Sequence, residues 1–250
     1  MSEFYVGYLP SMPPAIRRRV RAAVAAAVLL AIAGAALFAA SQKKFAESFF
    51  EFGKAVELSG TISLQPFPTL SQNGPATPGD SDEAPYLLVA PGKHGADALL
   101  SGWDGKQVRL RGTPIHRFEG RMIEVEPGSI TELGKTQANP GDWMDLGEST
   151  LSGEIVDTKC FLGVMSPGEG KVHRDCAARC LSGGIPPALV TLDADGIHRI
   201  VLLTGEDGKP LPKQAYLARV GQPVSVRGRV WESRDLYYLR VSAAQITALP

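Results

Sequence analysis

The chain opens with one long apolar stretch and then changes to short segments in which apolar and polar residues alternate. Residues 22–40 carry no charge. Nineteen residues in helical form rise about 28 Å, close to the hydrocarbon thickness of a bilayer. That length predicts a single transmembrane helix. After it, Val108-Arg109-Leu110-Arg111 and Val224-Ser225-Val226-Arg227 alternate at the two-residue period of a strand with one buried face. Glu119-Gly120, Asp195-Gly196 and the run Ser233, Arg234, Asp235 read as turns between such strands. Residues 217–221, LARVG, read as a short helix leading into a strand.

The alternating part repeats itself. Leu58-Ser59-Gly60 is matched by Leu151-Ser152-Gly153, and the spacing from Gly105 to Gly112 is matched from Gly221 to Gly228. Beyond the second glycine, Met122, Val125 and Ile130 fall in register with Tyr238, Val241 and Ile246. A match with its apolar positions in phase indicates an internal duplication. About five short strands and one short helix per copy predict a mainly β protein of two tandem small OB-like β-barrels, preceded by the transmembrane helix, with a sandwich of similar strands as the alternative. The expected order is a cytoplasmic segment 1–21, anchor 22–40, juxtamembrane segment 41–54, first barrel 55–130, linker 131–148 and second barrel 149–250. Each copy has its own insertion after the first strand. In the first it is residues 66–85, rich in Pro, Gly, Ser and Asp and without evident chemistry. In the second it is residues 160–187, which hold all three cysteines.

Charge sets the orientation. Arg17, Arg18, Arg19 and Arg21 stand immediately before the apolar run. Basic residues flanking a span mark its cytoplasmic side, so the body is expected in the periplasm of a bacterial cell, held by an uncleaved signal anchor in the inner membrane; the alternative is a cleaved span that frees the same body. The whole chain balances 26 basic against 26 acidic residues, and the first 44 residues take six of the basic and one of the acidic, leaving 20 against 25. A mildly acidic body argues against a nucleic-acid partner, which needs local positive charge. Alanines 23, 27, 31, 35 and 39 recur every fourth residue beside Gly34, a small-residue face that suits a membrane-protein partner.

The cysteine segment carries the chemistry. A helix over residues 172–181, stopped by Gly183-Gly184 and Pro186-Pro187, places His173, Cys176 and Cys180 on one face. Cys160, at the end of the preceding strand, can reach that face across the loop. Three thiolates and one imidazole form a Cys3His ligand set for zinc, copper or iron. Two other readings stay open: a disulfide from Cys160 to Cys176 or Cys180 that staples a recognition loop, and a thiol oxidoreductase. C-x-x-C and C-x-x-C-H are absent, against a thioredoxin-like dithiol or c-type haem. Asp157 and Asp175 lie where they can orient His173. His94, His116 and His198 stand without partners in the sequence and read as loop or strand residues, and Trp231, Tyr237 and Tyr238 as barrel core or rim. No Ser-His-Asp order, carboxylate pair or phosphate-cradling glycine loop is present, so the reading leans away from an enzyme.

Gly153, Asp157 and Cys160, then His173-Arg174-Asp175-Cys176-Ala177-Ala178-Arg179-Cys180, then Gly183-Gly184, resemble a group of uncharacterised bacterial exported proteins. Their shared pattern is D-x-x-C, a loop, H-x-x-C-A-x-x-C and a strand. The resemblance implies that Cys160, His173, Cys176 and Cys180 act as one unit, and it carries no activity.

Overall fold

In a computed structural model of the chain, residues 11–42, 47–72, 84–135, 143–192 and 198–249 are described. Helix α1 (Pro14–Ser41) contains the apolar run and forms a unit of its own, long and apolar enough to cross a membrane. Pro14 begins it, where a missing N–H costs nothing.

Residues 46–250 form a second unit of two closed β-barrels. The strands of the first half are β1 (Ser48–Phe50), β2 (Val56–Ser63), β3 (Thr69–Gln72), β4 (Tyr86–Ala90), β5 (His94–Gly95), β6 (Lys106–Arg117), β7 (Gly120–Val125) and β8 (Thr131–Lys135). Those of the second are β9 (Met144–Asp157), β10 (Pro187–Leu192), β11 (His198–Gly205), β12 (Pro223–Ser233), β13 (Leu236–Val241) and β14 (Ile246–Ala248), with helix α2 (Arg174–Ser182) between β9 and β10. In the first barrel β2 pairs β3, β3 pairs β4, β4 runs parallel to β7, β7 pairs β6, and β6 returns to β2. In the second barrel β9, β10, β11, β13 and β12 close in the same order, with the same single parallel pair.

The strand patterns are realised residue by residue. Val108 and Leu110 are buried while Arg109 and Arg111 are exposed, and Val224 and Val226 are buried while Arg227 is exposed. Matching glycines hold matching corners. A Cβ on Gly60 would meet the Ser71 carbonyl oxygen at 2.3 Å, and one on Gly153 the Val190 oxygen at 2.1 Å. One on Gly112 would meet the Glu124 oxygen at 2.6 Å, and one on Gly228 the Arg240 oxygen at 2.4 Å. In a tight barrel the backbones approach too closely at these corners for any side chain. The β6–β7 and β12–β13 turns fall where the sequence put them, but their left-handed positions are Phe118, Arg234 and Asp235. Leu217–Arg219 forms the expected short helix. The Asp195-Gly196 turn lies outside the described residues.

The structure differs from the sequence reading at the first insertion. Thr69–Gln72 is not loop but the second barrel strand; Leu70 within it and Phe67 just before it are buried. Proline and serine there mask a strand whose apolar side chains reach the core. Within residues 131–148, Thr131–Lys135 pairs with β6 and strand resumes at Met144.

Each barrel has its own core, and a third apolar cluster joins them. Phe67, Leu87, Val89, Ile115 and Met122 of the first barrel pack with Val156, Phe161, Leu162, Ile185 and Leu202 of the second. Cys160 and Cys180 belong to this shared cluster. The cysteine segment therefore sits at the seam between the barrels rather than on the far side of one.

Candidate metal centre

The site begins at the end of β9. Asp157 is fully buried, and its Oδ1 accepts the Cys160 N–H at 2.8 Å. That bond turns the chain sharply into a single wide helical turn, Cys160–Val164. The loop that follows is pinned where the Glu154 carboxylate accepts the Gly170 N–H at 2.5 Å. Helix α2 then drives Ala177 and Leu181 into the core of the second barrel. With those two positions buried, Cys176 and Cys180 turn toward the seam.

Three sulfurs converge. Cys160, Cys176 and Cys180 place their Sγ atoms within 4.8 Å of one another, and Cys160 Sγ lies 3.8 Å from Cys180 Sγ. All three thiols are free; Cys160 and Cys180 are buried and Cys176 is half-buried. His173, just before α2, is also buried, but its Nε2 pairs with Asp157 Oδ2 at 3.0 Å. Asp157, Cys160 and His173 form a second group within 4.8 Å, overlapping the first at Cys160. The four predicted residues are thus gathered as two linked triads and not as one four-cornered set. His173 is engaged by a buried carboxylate, a stronger hydrogen-bond partner than a thiol. Asp157 takes the orienting role expected of it, and Asp175 is an exposed residue in the first turn of α2.

The first barrel supplies what the sequence did not reveal. The turn between β4 and β5 reaches across the seam, and Lys93 Nζ lies 2.8 Å from Cys176 Sγ and 3.7 Å from Cys180 Sγ. Its position is built in. Gly95 N donates to the Gly183 carbonyl at 3.0 Å. Lys159, 2 % exposed, donates to the carbonyls of Ala90 at 2.8 Å and Gly92 at 2.7 Å and pairs with Glu124 at 2.5 Å. A Cβ on Gly183 would fall 1.7 Å from the Lys93 oxygen, so the turn rests on bare backbone. On the other flank of Cys160, Arg117 is 5 % exposed, donates to the Phe161 carbonyl at 3.1 Å and lies 4.1 Å over the Phe161 ring. The residues on both sides of Cys160 are therefore held by the first barrel.

The electrostatics follow from this packing. Cys180 is drawn down to about 7, first by its contact with the Cys160 sulfur and further by the Lys93 charge, against the opposing effect of burial. Cys160 is pushed well above the ordinary thiol value by the same contact, then by burial and the Asp157 charge. The two behave as a pair sharing one proton. The Cys176 sulfur holds the Lys93 ammonium above its usual value.

The remaining histidines are elsewhere. His116 stacks on Phe49 at 4.9 Å and His198 on Phe118 at 5.1 Å, while His94 is exposed beside Lys93. Tyr238 is buried against Trp143, and Arg240 lies 4.1 Å over Trp231, so these aromatics are core and rim.

Comparisons with protein-family models, curated proteins and solved structures give no match.

Proposed function

We propose that the protein is a membrane-anchored accessory protein whose extracytoplasmic barrels bind a thiophilic metal ion through Cys160, Cys176 and Cys180. One observation carries this reading: the free sulfur of Cys160, at the end of β9, converges with those of Cys176 and Cys180 on α2, and lies 3.8 Å from that of Cys180. A metal with sulfur bonds of about 2.3 Å holds its sulfurs about 3.8–4.0 Å apart, in a tetrahedral or a three-cornered shell. His173 and Asp157 support the site by orienting Cys160. The Arg17 to Arg21 cluster supports a cytoplasmic N-terminus, an inner-membrane anchor and a periplasmic body. The alanine face of α1 supports a membrane-protein partner, such as a subunit of a redox complex. The matched glycines and strand order support two copies of one duplicated module.

The Cys160–Cys180 contact, with Cys180 drawn to about 7, favours a second reading as a reversible dithiol. Metal analysis of the full chain, purified anaerobically in detergent, separates the two. One metal per chain, lost in Cys160→Ser, Cys176→Ser and Cys180→Ser, supports the metal site. A metal-free chain that cycles between three thiols and one thiol plus a disulfide refutes it. Fusing reporter enzymes to the C-terminus tests the orientation, since a cytoplasmic signal there would contradict it.

A further inference from the structure

We propose that the three-thiol site is a monovalent-copper site, with Lys93 of the first barrel as the residue that selects Cu(I) over zinc. This rests on the metal reading above and names the ion.

Structural zinc sites are closed by four protein ligands. Here three sulfurs form one group, and the fourth predicted ligand, His173, is engaged by Asp157. The place beside Cys176, the most accessible of the three thiols, is taken by the Lys93 ammonium. An ammonium has three donors and no lone pair, so it cannot complete a coordination shell. Thiolate-rich shells suit Cu(I), for which three ligands suffice, whereas cysteine-bound iron–sulfur clusters take four. Asp157, whose carboxylate groups with Cys160 and His173, already accepts the Cys160 N–H and pairs with His173.

Loading exchanges protons for metal with no electron transfer: one Cu(I) and three cysteines give a tris-thiolate complex of charge −2, and whatever protons the three sulfurs still hold leave to solvent. The same thiolates around Zn(II) carry −1. A cation fixed at the cluster therefore favours the copper complex by the interaction of one additional charge. At about 4 Å, even with the screening of bulk water, that favours copper about fivefold. Lys93 is suited to this role because its backbone is fixed by the Gly95–Gly183 hydrogen bond and by Lys159. Lys93 does not touch the metal; it is a positioning and selecting residue.

The test uses the full chain in detergent under anaerobic conditions. Cu(I) and Zn(II) affinities are each measured against a colorimetric chelator for wild type, Lys93→Met and Lys93→Arg. Far-ultraviolet circular dichroism checks that each variant keeps its strands. X-ray absorption of the loaded wild type reads the ligands. The proposal expects one Cu(I) with three sulfurs and no nitrogen. It expects the Cu(I)-to-Zn(II) affinity ratio to fall about fivefold or more in Lys93→Met and to be retained in Lys93→Arg. A zinc-preferring site with a sulfur-and-nitrogen shell overturns it, as does a ratio unchanged in Lys93→Met; the metal reading survives both results. A wild-type chain that binds neither ion overturns both.

Discussion

Lys159 offers the sharpest test of the claim that the two barrels work as one body. Its ammonium is buried at the seam, bonded to Glu124 and to two carbonyls of the turn that carries Lys93. Lys159→Met keeps the stem and most of the volume but removes the charge. Two carbonyls then lose charge-assisted donors, bonds worth about 1.5–3 kcal/mol each when formed. Glu124, 19 % exposed, loses its counter-ion. Breaking one side of a buried ion pair costs about 3–5 kcal/mol, and partial water access to Glu124 places the loss near the lower end, about 3 kcal/mol. For a body of this size, melting falls about 2–4 °C per kcal/mol, or about 6–12 °C in all. Thermal melting of the full chain, followed by the strand signal in circular dichroism, measures it. Lys159→Met with Glu124→Leu should recover part of the loss, because much of the penalty is the orphaned carboxylate. A single-variant shift below about 3 °C would mean that the clasp does not hold the seam.

Other consequences can be checked alongside. Asp157→Asn weakens the grip on Cys160 and His173 and should lower metal affinity about 10–100-fold in a chelator competition, the usual effect of losing a ligand's orienting partner. Gly183→Ala forces a Cβ into the Lys93 carbonyl, so it should destabilise by about 1–3 kcal/mol in urea unfolding, whereas Gly134→Ala, whose Cβ would meet nothing nearer than the Gln107 side-chain oxygen at 3.7 Å, should cost less. In the metal-free, reduced chain, a thiolate absorbance should appear as pH passes about 7. The lowered Cys180 value means its contribution to stability is present above the unfolded thiol value near 9 and lost as pH falls through about 7. The raised Cys160 works in the opposite direction and removes stability above pH 9, so the metal-free chain should be most resistant to urea near pH 9. A monotonic rise through pH 10 would contradict the shared proton.

Much of the frame was readable from the pattern of residues. Alternation at Val108 to Arg111 and Val224 to Arg227 reports one buried face, and glycine spacing reports barrel corners, because both are local consequences of strand geometry. The facing of Cys176 and Cys180 followed from helical periodicity. What escaped the sequence is what crosses the seam. Lys93 approaches Cys176 across 83 positions of chain, and nothing in Pro91-Gly92-Lys93-His94 marks it as other than a solvated turn. Lys159 looked like a polar residue beside a cysteine, yet it is among the most deeply buried side chains. The Cys3His set was divided for the same reason: spacing gives a helical face, whereas Asp157, from the strand before the loop, decides where His173 points. Thr69–Gln72 was hidden by its Pro- and Ser-rich setting.

Counting metal and thiols on one anaerobic preparation of the full chain is the most direct measurement of the central claim. The account predicts one metal ion per chain, three cysteines protected from alkylation before chelation, and three free thiols after it. A chain without metal in which one thiol reacts and the other two are recovered only after reduction would contradict it.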